Sequence, residues 1–374
     1  MNPVRFIHTS DLQLGMRRWF LGDEQTRFDS ARLDAVTALG MLATANRAEF
    51  IVAAGDVFED NSLSERVIGR VLERFAELPV PVYLLPGNHD PLVADSIFWR
   101  AGDIDNVTVL GSTDPVTVRE GVEVVGVPWR SKSPSGDLVA AALKPLAPFD
   151  GTRIMVAHGQ PESYSGDQMA GLFDLEVVNQ ALADHRIDYL ALGDTHSTMT
   201  IGSSGKVWFS GAPEVTDFAE PGGGGEFDSG NALVVTIADH EVTVDKHPVG
   251  TWTFQALSES LVSAEDVEAF LEELRTWPNK DRTVIKYALS GTLNLTDTRA
   301  LNDGIESVRH RFVNLYERER LMNLYVEPGD DEISDLQLGS VASASLAELL
   351  DDPDDATARD AVNLLFRLAT EAAT

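Results

Sequence analysis

The sequence predicts an α/β fold: a mixed two-sheet sandwich flanked by helices, with a small α+β domain after it. Three observations predict this. Short apolar runs alternate with helical patterns through roughly the first 200 residues, as in a sheet covered by helices. Consecutive strand patterns joined by tight turns follow near 107–127 and 207–246, so the sheet is mixed and divides in two. Five apolar runs each end in a polar segment, the place where open α/β sheets put their ligands.

The elements follow in order. Val4–His8, Glu49–Ala54, Val82–Leu85, Arg153–Ala157 and Asp188–Leu192 are short apolar runs that read as buried strands. Ser30–Asn46 is a helical pattern with Leu33, Val36 and Leu39 on one side. Ser62-Leu-Ser-Glu65 has the form of a capping box and opens a helix carrying Val67, Val71 and Phe75. Val107–Leu110, Val116–Arg119, Val122–Val127, Val207–Ser210, Ala232–Ile237 and Val242–Lys246 read as further strands, and Pro221–Gly225 as a glycine-rich loop. After about residue 256 the pattern simplifies to helix, strand, helix, strand: Ala264–Thr276, Thr283–Leu289, Asp297–Arg311 and Leu321–Val326. Beyond Pro328 an acidic stretch leads to two short helical segments. The last starts at Thr357 and carries Ala361, Val362, Leu365, Phe366 and Ala369 on one face.

Composition bounds the function. A chain of 374 residues exceeds one ordinary core, and 43% apolar content is enough to bury a sizeable one. There is no cysteine, which excludes disulfides, thiolate metal sites and cysteine nucleophiles. The N-terminus lacks a signal-peptide pattern and no apolar run approaches a membrane span, so a soluble cytoplasmic protein with no membrane partner is expected. The formal net charge of −31 is unfavourable for a nucleic-acid binder unless basic residues cluster or a partner supplies surface.

The chemistry sits at the five strand ends. They read His8-Thr-Ser-Asp11-Leu-Gln13-Leu-Gly15, Gly55-Asp56-Val-Phe-Glu59-Asp60-Asn61, Gly87-Asn88-His89-Asp90, His158-Gly159 and Gly193-Asp194-Thr195-His196. Any one Asp here could be a turn or helix cap, and any one His a satisfied core residue. Together they offer converging oxygen and imidazole donors suited to divalent ions, and two such ions can clamp a phosphate.

In these segments the chain resembles the calcineurin-like metallophosphoesterases, and within them the SbcD-type, YhaO-like DNA-repair nuclease subunits. His8–Gly15 is similar to that family's opening motif, and Phe209-Ser-Gly-Ala-Pro-Glu-Val-Thr-Asp-Phe218 to the segment after its last metal motif. The resemblance implies a metallophosphoesterase catalytic domain over 1–250, a capping domain over 251–330 and a C-terminal helical segment over 331–374 that docks an ATPase. It implies that Asp11, Gln13, Asp56 and His196 hold one metal. Asp56, Asn88, His158 and Asp194 hold the second. His89 acts as catalytic acid, with Glu59 as its acidic partner. The implied activity is a two-metal phosphodiesterase, an exo- or endonuclease on DNA, working with an SbcC-like ABC/SMC-type ATPase; a homodimer is also compatible with it.

Two positions depart from the family pattern. Gln13 and Asp194 stand where imidazoles are expected. A more oxygen-rich site favours manganese or magnesium over zinc, so manganese is the expected ion. For DNA, Arg17, Arg18 and Trp19 follow the first motif, Trp129, Arg130 and Lys132 follow another strand, and Arg309, His310, Arg311, Arg318 and Arg320 punctuate the later domain. Such clusters grip phosphates and stack bases, or are solvated ion-pair members. Two alternatives stay open: a small-molecule phosphodiesterase, which the acidic charge favours, and a catalytically weakened scaffold for an SMC-like ATPase, which the two replacements favour.

Overall fold

The computed structural model describes residues 3–163, 171–327, 340–350, 357, 358, 361, 362, 364 and 365. In chain order the strands are β1 (Val4–Thr9), β2 (Phe50–Ala53), β3 (Val82–Leu84), β4 (Val107–Val109), β5 (Val116–Arg119), β6 (Val122–Gly126), β7 (Thr152–His158), β8 (Tyr189–Gly193), β9 (Met199–Thr200), β10 (Val207–Phe209), β11 (Ala219–Glu220), β12 (Gly224–Gly225), β13 (Asn231–Ala238), β14 (Glu241–Pro248), β15 (Thr253–Leu261), β16 (Thr283–Leu293), β17 (Asn314–Glu317) and β18 (Asn323–Val326). The α-helices are α1 (Gln25–Asn46), α2 (Glu65–Ala76), α3 (Phe98–Ala101), α4 (Leu138–Leu143), α5 (Leu175–Ala183), α6 (Ala264–Thr276), α7 (Leu295–Arg309) and α8 (Ser340–Leu350).

The chain forms two units, one of residues up to 218 with 224–252, the other of 219–223 with the residues from 253 onward. The first unit holds two sheets, in the orders β14-β13-β1-β2-β3-β4 and β5-β6-β7-β8-β10-β9. Their centres are parallel: β1 to β4 in one, and β6, β7, β8 and β10 in the other. Antiparallel strands close three of the four edges, at β14, β5 and β9, and the parallel β4 forms the fourth.

The alternation of side chains along each strand builds the layers. Phe6, Val52, Val124, Ile154, Val156, Tyr189 and Ala191 point between the sheets and share one core. Ile7, Ile51 and Ala53 point outward to Val36 and Leu39 of α1 and Val71 and Phe75 of α2. On the other side Val125, Met155, Ala157, Leu190 and Leu192 meet α4 and α5. The result is helices, sheet, sheet and helices, the mixed two-sheet sandwich that the alternation predicts.

The sheets are joined across the middle by aromatic and polar contacts. Phe6 stacks on Phe50 with centroids 5.1 Å apart and meets Tyr189 edge-on at 5.7 Å. His8 is buried between the sheets; its Nδ1 accepts from the Tyr189 hydroxyl at 3.0 Å, and its Nε2 donates to the Leu192 carbonyl at 3.2 Å.

The second unit is a parallel sheet of β11, β15, β16 and β17, with β18 also beside β16. α6 and α7 cover it through Phe270, Leu271, Leu274, Leu301, Ile305 and Val308. Ser263 and Asn294 cap these helices by accepting from Asp266 N and Asp297 N. Glu220 of β11 is held by Lys286 at 2.6 Å and Arg318 at 2.7 Å.

Several sequence expectations shift. The helix after Ser62 is capped by Ser64, not by a capping box at Ser62; Ser62 instead donates to the Asp60 carboxylate. α4, α5 and β17 carry too few periodic residues to stand out, and β15, from Thr253 to Leu261, is a strand that the sequence reading does not mark. In the C-terminal segment Val362 is buried and Leu365 packs beside it, against Leu295 and Leu346 of the second unit. A short helix is marginal alone, and among the described residues Val362 and Leu365 are covered by their own chain. Phe366 and Ala369 lie outside the described residues.

His8 yields a stability test. Burial pulls its pKa down to about 3, against the pull of the Leu192 carbonyl. The unfolded chain, with an ordinary imidazole near 6.5, takes up a proton that the folded chain refuses, so stability falls as pH drops from about 6.5 toward 3. Urea unfolding should show Tyr189→Phe about 1–2 kcal/mol less stable at pH 7, from the lost hydrogen bond. His8→Leu should flatten the acid slope in that window.

Candidate metal centre

The loops after β1 and β2 stay side by side beyond the sheet. Asp11 N donates to Gly55 O at 3.0 Å, Gln13 N to Asp56 O at 2.9 Å and Leu14 N to Val57 O at 3.0 Å. This continued pairing places Asp11 and Gln13 against Asp56. Asp11, Gln13, Asp56 and Asp194 all have positive φ, of 51, 43, 51 and 102°. Such backbone costs of order 1–3 kcal/mol per residue and concentrates at functional sites. Two glycines make room: a Cβ on Gly55 would lie 2.2 Å from His158 Nδ1, and one on Gly87 2.2 Å from Asp56 Oδ1.

His158, at the end of β7, donates from Nδ1 to the Ala54 carbonyl at 2.9 Å. That bond turns Nε2 toward three oxygens: Asn88 Oδ1 at 2.7 Å, Asp56 Oδ1 at 3.4 Å and Asp194 Oδ1 at 3.7 Å. Trp129 braces the ring, lying edge-on with centroids 6.0 Å apart and donating to the His158 carbonyl at 2.7 Å. Trp129 is buried, so it serves here and not as a base-stacking surface.

His196 faces the other side. Its Nε2 lies 3.4 Å from the Gln13 amide and 3.8 Å from Asp11 Oδ1. Its Nδ1 bonds the Thr216 hydroxyl, which in turn donates to Glu226, whose carboxylate also accepts from Thr216 N at 2.9 Å and Asp217 N at 2.9 Å. This Thr216–Glu226 support fixes the ring through the nitrogen facing away from the centre. The motif around Phe209–Phe218 contains Thr216, but Glu226 sits just past a glycine-rich loop with no spacing to mark it.

Asp11 is held by Ser10 Oγ at 2.6 Å and by Asp194 N at 3.1 Å. Asp90 of the Gly87–Asp90 segment accepts from Phe58 N at 2.9 Å and Gly87 N at 2.7 Å, tying the β2 and β3 loops together. Burial, then the charge of Asp56, push its pKa up to about 8.

His89 donates its backbone N–H to Asp56 Oδ1 at 3.0 Å, and its Nε2 stands 3.9 Å from Asp56 Oδ2. Its Nδ1 bonds Glu59 at 3.1 Å, through the main-chain carbonyl and not the carboxylate that sequence reading favours. The Glu59 carboxyl is raised by burial, against the pull of His89, Arg18 and Arg32, and one of its oxygens is buried without a hydrogen-bond partner among the described residues.

The basic residues divide. Arg17 is exposed beside the first loop. Arg18 donates twice to the Thr216 carbonyl, at 3.0 and 2.9 Å, which makes it a tether for the loop that orients His196. Arg130 is exposed and donates to the Gly111 carbonyl at 2.6 Å. In the second unit Arg309 pairs with Glu306 and Arg318 with Glu220. Buried Arg32, absent from the sequence reading, donates to the Leu12 and Val215 carbonyls and props the first loop from beneath.

The electrostatics suit cations. Asp11, Asp56 and His158 present donor atoms all within 4.8 Å of one another, and all three are buried. Burial raises the Asp11 carboxyl. Burial also pushes Asp56 up, but the imidazoles of His158 and His89 outweigh it and hold that group below its usual range. Burial pulls both His158 and His196 down; the surrounding carboxylates reverse this, carrying His158 well above 6.5 and His196 to about 9. One proton on His158 Nε2 cannot satisfy three oxygens, whereas a divalent ion can bind all of them. The donor set therefore fits divalent metal, with Asp56 placed to be shared.

Two outcomes are expected. Because cations compete with protons for His158 and His196, calorimetry in buffers of different ionisation enthalpy should show proton release on metal binding at pH 7, and affinity rising toward pH 9. In a titration of chelator-stripped protein, manganese should activate more than zinc, and Gln13→His should move the preference toward zinc. Zinc activation with no manganese response would refute the oxygen-rich assignment.

The family model described as calcineurin-like phosphoesterase matches residues 4–198. The DNA double-strand break repair protein Mre11 of Methanococcus maripaludis is 27% identical over 90 residues, 23% of this chain and 23% of that protein, so the match spans less than a quarter of the relative's length. Among solved structures, a dimetal phosphatase from Danio rerio aligns with a TM-score of 0.37 at 12% identity, covering 55% of this chain and 85% of that one. The calcineurin-like phosphoesterase YfkN from Bacillus subtilis aligns at 0.39 and 14%, covering 66% and 91%. A purple acid phosphatase from yellow lupin (Lupinus luteus) seeds aligns at 0.37 and 12%, covering 66% and 52%. With more than half of its length matched by the family model, and candidate metal donors gathered at the ends of the matched strands, the chain belongs to the calcineurin-like phosphoesterase family.

Proposed function

We propose that this phosphoesterase is a two-metal phosphodiesterase acting on DNA, the nuclease subunit of an SbcCD-like repair complex. The observation that carries the reaction type is Asp56, with His158 3.4 Å from one of its oxygens and His89 3.9 Å from the other. One ion would take Asp11, Gln13, Asp56 and His196, the other Asp56, Asn88, His158 and Asp194. When bound, such a pair neutralises phosphate charge and lowers the pKa of a water for in-line attack. His89 is poised beside them: with Nδ1–H donated to the Glu59 carbonyl, its Nε2 gives up a proton only from the imidazolium, the form that protonates a leaving oxygen. The DNA assignment rests on the local relation to a DNA double-strand break repair protein.

In the same reading Arg17 and Arg130 contact substrate phosphates, residues 251–330 form the capping domain, and residues 331–374 contribute to docking an SbcC-like ABC/SMC-type ATPase. Since Val362 and Leu365 are turned onto the chain's own second unit, the docking surface would use neighbouring positions such as exposed Leu364 and Val341. The −31 charge favours a second reading, hydrolysis of a small phosphodiester.

With manganese, the full chain should cleave end-labelled DNA. His89→Asn should keep its metal content and lose about 100-fold or more in turnover, the usual worth of general acid catalysis. Hydrolysis of a chromogenic phosphodiester with DNA left intact would select the second reading. Inactivity on both, with metals bound, would leave a scaffold. Removing residues 340–374 should abolish capture of the ATPase while sparing hydrolysis of the small substrate.

A further inference from the structure

A second cluster of metal-ligating side chains lies at the opposite end of β8. His185 follows α5, Asp188 precedes β8, and His240 sits in the turn between β13 and β14. One donor atom from each lies within 4.8 Å of the other two. The metal centre described above is at the far end of the same strand, roughly 20 Å away at 3.3 Å per residue, so the two groups share no ligand.

The cluster is built from support on several sides. Asp188 is buried; its Oδ1 meets His240 Nδ1 at 2.6 Å, while its Oδ2 accepts the backbone N–H of Arg153 at 2.8 Å, which fixes the plane of the carboxylate. The Arg153 guanidinium is spent elsewhere, on Glu123 and on the carbonyls of Ala147 and Arg186. Lys206 Nζ donates to the His240 carbonyl at 2.7 Å and pins the turn. The two imidazoles lie 4.4 Å apart between centroids, tilted by 48°.

The backbone is unusual here too. Asp239 and His240 form a two-residue loop with φ of 48 and 65°, and His185 has φ of 53°. In a hairpin loop with both φ positive, the second place is the usual position of glycine. A histidine there, aimed at a carboxylate, is a local cost that a ligand would justify; the left-handed His185 is the residue that ends α5, with its N–H on Leu182 O and Arg186 N on Ala181 O. A His–Asp ion pair alone would need His240 and Asp188. It gives no role to His185, which brings a second imidazole from a different element.

The geometry points to a third metal site in this chain, in which His185, His240 and Asp188 bind a borderline divalent ion of the zinc class. Two imidazoles and a carboxylate with an open position for water form a recognised zinc donor set. Zinc bonds of about 2.0–2.2 Å would hold neighbouring donors about 3.3 Å apart, so the 2.6 Å His240–Asp188 contact would open by less than an ångström. Asp188 enters the sheet of β8, and His240 turns the hairpin that continues into the sheet of β1. A bound ion would therefore clip the two sheets of the sandwich together at the end away from the catalytic centre, and stabilise the folded state in proportion to its occupancy.

The test uses the full chain, stripped by chelator and dialysed against micromolar zinc at pH 7.5. Wild type should retain one more equivalent of zinc than His185→Gln, and zinc should raise its melting temperature by more. His185 is exposed, so His185→Gln is expected to fold; His240→Gln is the parallel variant, and should it fail to fold His185→Gln decides alone. Asp56→Asn should keep the extra equivalent, because it alters the other centre only. Equal zinc content in wild type and His185→Gln would overturn the assignment, as would loss of all zinc in Asp56→Asn or retention only at millimolar zinc. Hydrolysis of a small phosphodiester should be unchanged in His185→Gln, which separates this outcome from any failure of the catalytic reading.

Discussion

Burying like charges together is the constraint around which the first unit is organised. Asp11 and Asp56 are almost wholly inaccessible, and Asp194 stands close by. Isolated buried carboxylates are strongly disfavoured unless paired or bound to cations. The surrounding chain meets that demand by turning His158 and His196 inward and by spending left-handed backbone at four donors. It then fastens the loops from behind: Asp90 ties β2's loop to β3's, Arg32 and Arg18 tie the first loop to the segment near Thr216, and Glu226 steadies that segment. Structural polar residues that look idle in isolation acquire a purpose as supports for this one anionic cluster.

What could be read in the sequence was whatever local pattern encodes. Strand ends such as Gly55-Asp56 and Gly87-Asn88-His89-Asp90 announce themselves because a glycine and a polar residue directly follow an apolar run. α6 was legible to the residue, since its apolar period and its Ser263 cap coincide. Nonlocal support was not legible. Glu226 reaches His196 through Thr216 across a glycine-rich loop, and the partner of His89 proves to be a carbonyl, a group every residue owns. Arg18 and Trp129 look like substrate contacts because type and neighbourhood suggest it, but their atoms are committed to Thr216 and His158 carbonyls.

The second unit is held by different means. Its strands β11, β15, β16, β17 and β18 pair in parallel and are covered by two capped helices, and among the described residues Glu220 is shared between Lys286 and Arg318. That shared carboxylate fixes a two-residue strand that arrives in the chain well before the rest of its sheet. Two cations on one half-buried carboxylate are stronger than a single exposed pair, and Glu220 is held below its usual range despite some burial, by Lys286 and then Arg318.

The pairing of β1 with β13 also shapes how the protein is made. His8 faces Leu233, a separation of about 225 residues, which is a costly long-range closure. At ribosomal rates of about 5–20 residues per second, β1 waits roughly 10–50 s between its own synthesis and the arrival of its antiparallel neighbour. Through that interval one side of a central strand carrying Val4, Phe6 and Ile7 has no native partner, the condition under which nascent chains recruit chaperones or mispair. The last strands of the sandwich thus act as a late seal, and the nascent chain's most exposed moment falls when the candidate metal donors from Asp11 to His196 have already been synthesised.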